Sequence, residues 1–122
     1  MTERADEPRI GVVTEPFASR PLTDMMDWLL QAAPSVTDLE VGAGGYAPTA
    51  HCETPVLLGD AAARKAWATE ITPRGLRVAA LNVWGNPLHP EESIARKHDS
   101  DLRNAIRPPL RLRINGSVMR ER

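Results

Sequence analysis

Residues 76–90 read LRVAALNVWGNPLHP, and the fold turns on how this stretch is divided. "LRVAALN", residues 76–82, is apolar and partly β-branched, the composition of a strand covered on both faces. "VWGNPLHP" brings an aromatic, a glycine, two prolines and a histidine, which is turn and loop chemistry. "EESIARKHDSDLRNAI" then sets Ile94, His98, Leu102, Ala105 and Ile106 on one helical stripe. Glu91 and Glu92 sit in its first turn, where the helix dipole favours acids. The stretch is a strand, a loop and a helix in that order.

The same order occurs twice upstream. "RIGVVT", residues 9–14, reads as a strand buried on both faces. Leu22, Met25, Met26, Leu29, Leu30 and Ala33 then recur at helical spacing, and Pro34 ends the run. "SVTDLEVGAGG" is a second strand, residues 36–41, running into a glycine-rich loop. "YAPTAHCETPVLLG" reads as a long irregular connection. Asp60 is placed to cap a helix in which Ala63, Ala66, Trp67 and Ile71 share a face. Pro73 and Gly75 end that helix. Three strands alternate with three helices, the pattern of a parallel α/β sheet with right-handed crossovers.

Composition fits one soluble domain. The chain has 122 residues, 42% hydrophobic and 25% charged, with only 4% aromatic, so its core must be aliphatic. No apolar run approaches a bilayer span, and the charged first ten residues lack a signal-peptide core. Cys52 is the single cysteine, so no internal disulfide forms, in keeping with a cytoplasmic location. Charge changes sharply along the chain. Residues 1–102 carry 9 Lys/Arg against 15 Asp/Glu, whereas residues 103–122 carry 6 Arg against 1 Glu. Pro108 and Pro109 break the third helix at that step. The division expected is an α/β part, residues 1–107, and an irregular basic tail, residues 108–122. In the tail Leu110, Leu112 and Ile114 alternate with arginines and Asn115-Gly116 signals a turn, a pattern for a loose ribbon or a disordered segment.

The ordered motifs resemble the sugar phosphate isomerase/epimerase family, the xylose-isomerase-like TIM barrels. The resemblance rests on "RIGVVTEPF", "PLTDMMDWLLQAAPSVTDLEVGAGGY", "RGLRVAALNVWGNPLHP" and "ARKHDSDLRNAIR", and runs from about residue 9 to residue 107. It implies three βα units of a partial TIM barrel, since the whole barrel needs eight. The implied chemistry is metal-assisted proton transfer, isomerising or epimerising a small sugar or sugar phosphate. In intact relatives a divalent metal, Mn or Mg, is held by Glu, Asp, His and Glu at the ends of later strands. None of those positions exists here, so no catalytic residue and no metal ligand is carried over. The basic, proline-broken tail departs from the family's pattern, and the expectation is a frame altered or truncated near Arg107.

In such barrels the site lies where strands end and βα loops begin. The stretches concerned are residues 14–17, 40–46 and 82–89. Within them the substrate-binding candidates are Glu40, whose carboxylate can accept sugar hydroxyls, and Asn82, whose amide can orient one. Trp84 offers a stacking face, and His89 is held stiff between Pro87 and Pro90. Each has a plainer reading: a satisfied carboxylate, a strand-end amide, a loop plug and a capping histidine. "GAGG", residues 42–45, lacks the phosphate-loop pattern and a following helix, so positive φ and a close bend explain it better. His51-Cys52 lacks metal-ligand spacing, and His98 reads as a packed helix residue.

Two other functions compete with an enzyme. One is a non-catalytic fragment that self-associates through the sheet edge a fourth strand would cover. The other is nucleic-acid binding by the arginine-rich tail, which ranks last because no recognition motif accompanies it. No membrane partner is expected.

Overall fold

The structure, a computed structural model, describes residues 8–111 and 113. Three parallel strands form one sheet in the order β1-β2-β3: β1 is Ile10–Val13, β2 is Val36–Gly45 and β3 is Arg77–Trp84. α1, Leu22–Ala32, joins the first pair. α2, Thr54–Gly59, and α3, Ala61–Ile71, join the second, and α4, Glu92–Ala105, follows β3. The α/β alternation read from the sequence is therefore present.

One apolar cluster holds the helices to the sheet. Leu39, Val41 and Ala43 of β2 and Val78 of β3 pack against Met25, Met26 and Leu29 of α1, Trp67 and Ile71 of α3, and Ala105 of α4. The α1 stripe is buried as its spacing requires, except that Leu30 lies at the margin and is exposed. Asp60 caps α3, its Oδ1 accepting the amides of Ala62 and Ala63 at 2.9 and 3.3 Å.

Several expectations need correction. β1 is not buried on both faces: Ile10 is 55% and Val13 36% exposed. An apolar run of that kind requires a partner layer on each side, and the described helices cover only one. Strand β2 does not stop at residue 41. It continues through the glycines to Gly45, paired with β3 as far as Trp84. β3 likewise runs two residues past Asn82. The connection expected to be irregular contains α2, which has Pro55 in its first turn and buries Leu57.

Helix α4 ends at Ala105, with two residues between it and the proline pair. The chain then makes one more helical turn, α5, Pro108–Arg111, with Pro108 at its start, where no amide donor is needed. Leu110 and Arg111 are thus helical rather than extended, and Leu110 is buried in the core. The rest of the expected ribbon, with Leu112, Ile114 and the Asn115-Gly116 turn, lies outside the described residues.

Candidate functional site

The sheet has two unlike faces. Val12, Leu39, Val41, Val78, Leu81 and Val83 turn toward the helices. Strand alternation sends Gly11, Val13, Asp38, Glu40, Asn82 and Trp84 to the other side. A shallow hollow of about 260 Å³ lies against this second face, with Gly11, Val13, Asp38, Glu40, Ala79 and Ala80 among its lining residues. At its base Asp38 receives Arg77 Nε and Nη2, each at 3.1 Å, and the Thr37 hydroxyl at 2.8 Å. Burial pushes the Asp38 carboxyl up, but the Arg77 and Thr37 hydrogen bonds and the charges of Arg77 and Arg9 outweigh it. The result lies below the usual carboxylate range. Asp38 is a tied structural anion at the closed end of the face.

Glu40 lies one step nearer the strand ends, half-buried beside the hollow, paired in register with Ala80. Its carboxylate has no hydrogen bond or ion pair among the described residues. At the strand ends, Asn82 Nδ2 donates to Glu15 Oε2 at 2.8 Å. The link spans the sheet because Gly42 lies between them. A Cβ there would stand 2.4 Å from the Pro48 carbonyl oxygen and 3.1 Å from Glu15 Cγ, so no larger residue fits under the Glu15 side chain.

Trp84 ends β3 and is 54% exposed. Its ring meets that of Tyr46 at 5.2 Å, and the Tyr46 amide donates to the Trp84 carbonyl at 2.8 Å. Tyr46 also stands edge-on to buried His98, with centroids 4.3 Å apart. His98 Nδ1 accepts the Asn86 amide at 2.7 Å, which fixes the start of the loop after β3. The packed reading of His98 fits this placement.

His89 is turned into its own loop. Its Nδ1 accepts the Glu91 amide at 2.9 Å, the arrangement of a histidine capping the approach to α4. Among the four candidates, Asn82 and Trp84 share one rim, and Glu40 lies on the same face nearer the strands' middle. His89 belongs to the helix entry. Glu15 and Tyr46 lie inside the rim stretches of the sequence, though no motif marks them. Their signal was position alone, directly after β1 and β2.

The glycine-rich stretch is a docking point for α4 and not an anion site. Gly44 and Gly45 have positive φ, and a Cβ on Gly44 would stand 2.6 Å from Asp101 Cβ. The Gly45 amide donates to Asp101 Oδ2 at 2.8 Å, and Lys97 Nζ donates to the same oxygen at 2.6 Å and to the Gly45 carbonyl at 3.2 Å. His51 Nε2 bonds the Arg20 carbonyl at 2.7 Å, and its own carbonyl accepts Trp67 Nε1. Burial pushes the Cys52 thiol up to about 11, against the opposing hydrogen bond with Thr54. Neither residue has the makings of a metal ligand or nucleophile here. Among the described residues no group of three or more His, Cys, Asp or Glu is placed to hold a metal ion, and no helix is long and apolar enough to cross a membrane.

No family model matches the chain, and no solved structure matches it. Over 84 residues, 69% of its length, it is 31% identical to "Uncharacterized protein YfiH" of Bacillus subtilis (strain 168). The match covers 26% of that protein, so the chain spans about a quarter of the length of the curated relative it resembles.

Proposed function

We propose that this chain is the N-terminal βα portion of a TIM barrel related to the sugar phosphate isomerases and epimerases. The observation that carries this reading is the strand order β1-β2-β3, with the described helices packed into one cluster on one side. Right-handed crossovers that always step in the same direction leave their helices on the same face, which is how a barrel is wound. A doubly wound sheet reverses direction and covers both faces. The bare face, with polar groups gathered at the strand ends, corresponds to a barrel interior and mouth. The partial match to a much longer protein is in keeping with this.

On this reading the ligand is a small sugar or sugar phosphate, and this chain forms one wall of its site. Trp84 stacks on the sugar, Asn82 and Glu40 meet its hydroxyls, and His89 shapes the loop above. The reaction is proton transfer next to a carbonyl, giving aldose–ketose isomerisation or epimerisation. Mn or Mg would stabilise the enediolate in the intact family. Among the described residues no group of three or more His, Cys, Asp or Glu is placed to hold a metal ion. As the resemblance implies, the base and the metal ligands would belong to strands beyond the third, and the location proposed is cytoplasmic.

The test is an isomerase assay with Mn²⁺ or Mg²⁺ across aldoses and their phosphates. It compares the 122-residue chain with the chain joined to the remaining part of the Bacillus protein. The expected result is no turnover by the chain alone and turnover by the folded hybrid. Turnover by the chain alone removes the claim that it is one wall only, and a folded hybrid inert across the panel removes the enzymatic reading.

The place of β3 at the edge of the described three-stranded sheet favours a second reading, a non-catalytic protein that self-associates through that edge. Size-exclusion chromatography over a range of concentrations separates the two. A sharp monomer peak at every concentration eliminates self-association.

A further inference from the structure

The rim formed by Glu15, Asn82, Tyr46 and Trp84 has a chemistry of its own. Asn82 spends an amide hydrogen on Glu15 Oε2. Glu15 Oε1 and Asn82 Oδ1 then have no hydrogen-bond partner among the described residues. Two oxygen acceptors side by side, one of them anionic, attract hydroxyl donors and repel a phosphate dianion. The nearby cation offers no compensation, because Lys97 already donates to Asp101 and to the Gly45 carbonyl. Arg20, on the loop after β1, lines a separate hollow with Phe17, Met25 and Trp28.

Trp84 follows Asn82 by two residues on the same face, a step of roughly 7 Å along the strand. That is about the breadth of one monosaccharide ring. Tyr46 extends the aromatic surface: its ring meets that of Trp84 and stands edge-on to buried His98, and its amide is bonded to the Trp84 carbonyl. A half-exposed aromatic pair near two acceptors suits a ring with one apolar face and hydroxyls at its edge.

We infer that Glu15 and Asn82, with the Tyr46–Trp84 pair, bind the uncharged, hydroxyl-bearing end of a sugar, and that a phosphate on the same ligand is held away from this rim. The inference rests on the sugar-ligand reading proposed above and adds which end of the ligand faces this wall.

The experiment is an NMR titration of the ¹⁵N-labelled full chain with D-glucose, D-glucose 6-phosphate and inorganic phosphate. The two sugars should shift the Asn82 side-chain amide and the Trp84 indole with dissociation constants within about threefold of each other, in the millimolar range. Inorganic phosphate should leave both signals in place. Glu15→Ala should weaken D-glucose binding about tenfold, whereas Glu15→Gln, which keeps an oxygen acceptor, should recover part of it. Trp84→Ala, at an exposed position, should also abolish most of the shift of the Asn82 side-chain amide and serves where Glu15→Ala does not fold. No shift with D-glucose up to about 100 mM overturns the inference. So does a response to inorganic phosphate, or unaltered affinity in folded Glu15→Ala. The titration needs neither turnover nor metal, so an inert hybrid in the isomerase assay and a silent rim in this one are separate failures.

Discussion

Asp101 of α4 accepts the Gly45 amide at 2.8 Å across 56 residues of sequence, while Lys97 one turn earlier donates to the same carboxylate oxygen. The carboxylate is partly buried and holds a strand-end amide that has no ladder partner. Lys97 is mostly exposed, and its contribution is screened by water. The two partners should therefore differ in worth. Asp101→Ala is expected to lower unfolding free energy by about 2 kcal/mol, since it strands a backbone donor. Lys97→Met should cost less than about 1 kcal/mol. Urea titration of both variants checks the ranking, and equal losses would show that the ion pair rather than the amide bond anchors α4.

Acid should loosen the sheet through Asp38. Burial alone would raise its pKa, but Arg77, Thr37 and Arg9 together hold it below the ordinary 3.8. A carboxyl depressed in the folded state stabilises the protein above the unfolded-state value. That contribution is lost as pH falls from about 4 through the folded-state pKa. Asp101 is depressed too: burial is outweighed by the Lys97 and Gly45 bonds and by the charges of Lys97 and His98, so it acts in the same window. Asp38→Asn is expected to be about 1–2 kcal/mol less stable at pH 7 and to lose stability less steeply below about pH 4. Thermal melts from pH 2 to 7 measure both, and an unchanged acid slope would contradict the assignment.

The first helix and the α3 cap were legible because their signals are local. Leu22, Met25, Met26 and Leu29 repeat within one element, and Asp60 bonds amides two and three residues away. α2 was not legible: six residues with Pro55 near one end and Gly59 at the other are too short for a period, and burial of Leu57 brings them into a helix. The openness of β1 was hidden as well, because "IGVV" has the same composition whether one face is covered or two. Of the candidate site, Asn82 and Trp84 could be placed by their position after an apolar run. The Glu15–Asn82 bond joins residues 67 apart, and no spacing rule reaches that far.

Thr14, which follows β1, is fully buried, and its hydroxyl has no hydrogen-bond partner among the described residues. A hydroxyl taken out of water without a partner costs free energy, and valine has nearly the same shape without it. Thr14→Val is therefore expected to raise stability by about 1 kcal/mol and to shift the melting temperature upward. A destabilised variant would mean that the hydroxyl is satisfied in solution.

Leu110 gives the sharpest test of where the folded unit ends. The sequence places a boundary at the proline pair, yet Leu110 lies beyond it, 1% exposed, on a helical turn that packs against α2. Removing a fully buried leucine costs both transfer free energy and a cavity. Leu110→Ala should lower stability by about 3 kcal/mol, whereas Arg111→Ala, one residue on and exposed, should stay within about 0.5 kcal/mol. A chain cut after Arg107 should resemble Leu110→Ala, because α2 loses the same apolar cover. Denaturation curves for the three proteins decide the matter. If Leu110→Ala and the shortened chain unfold like the parent, the domain ends at residue 107 and α5 contributes nothing to its core.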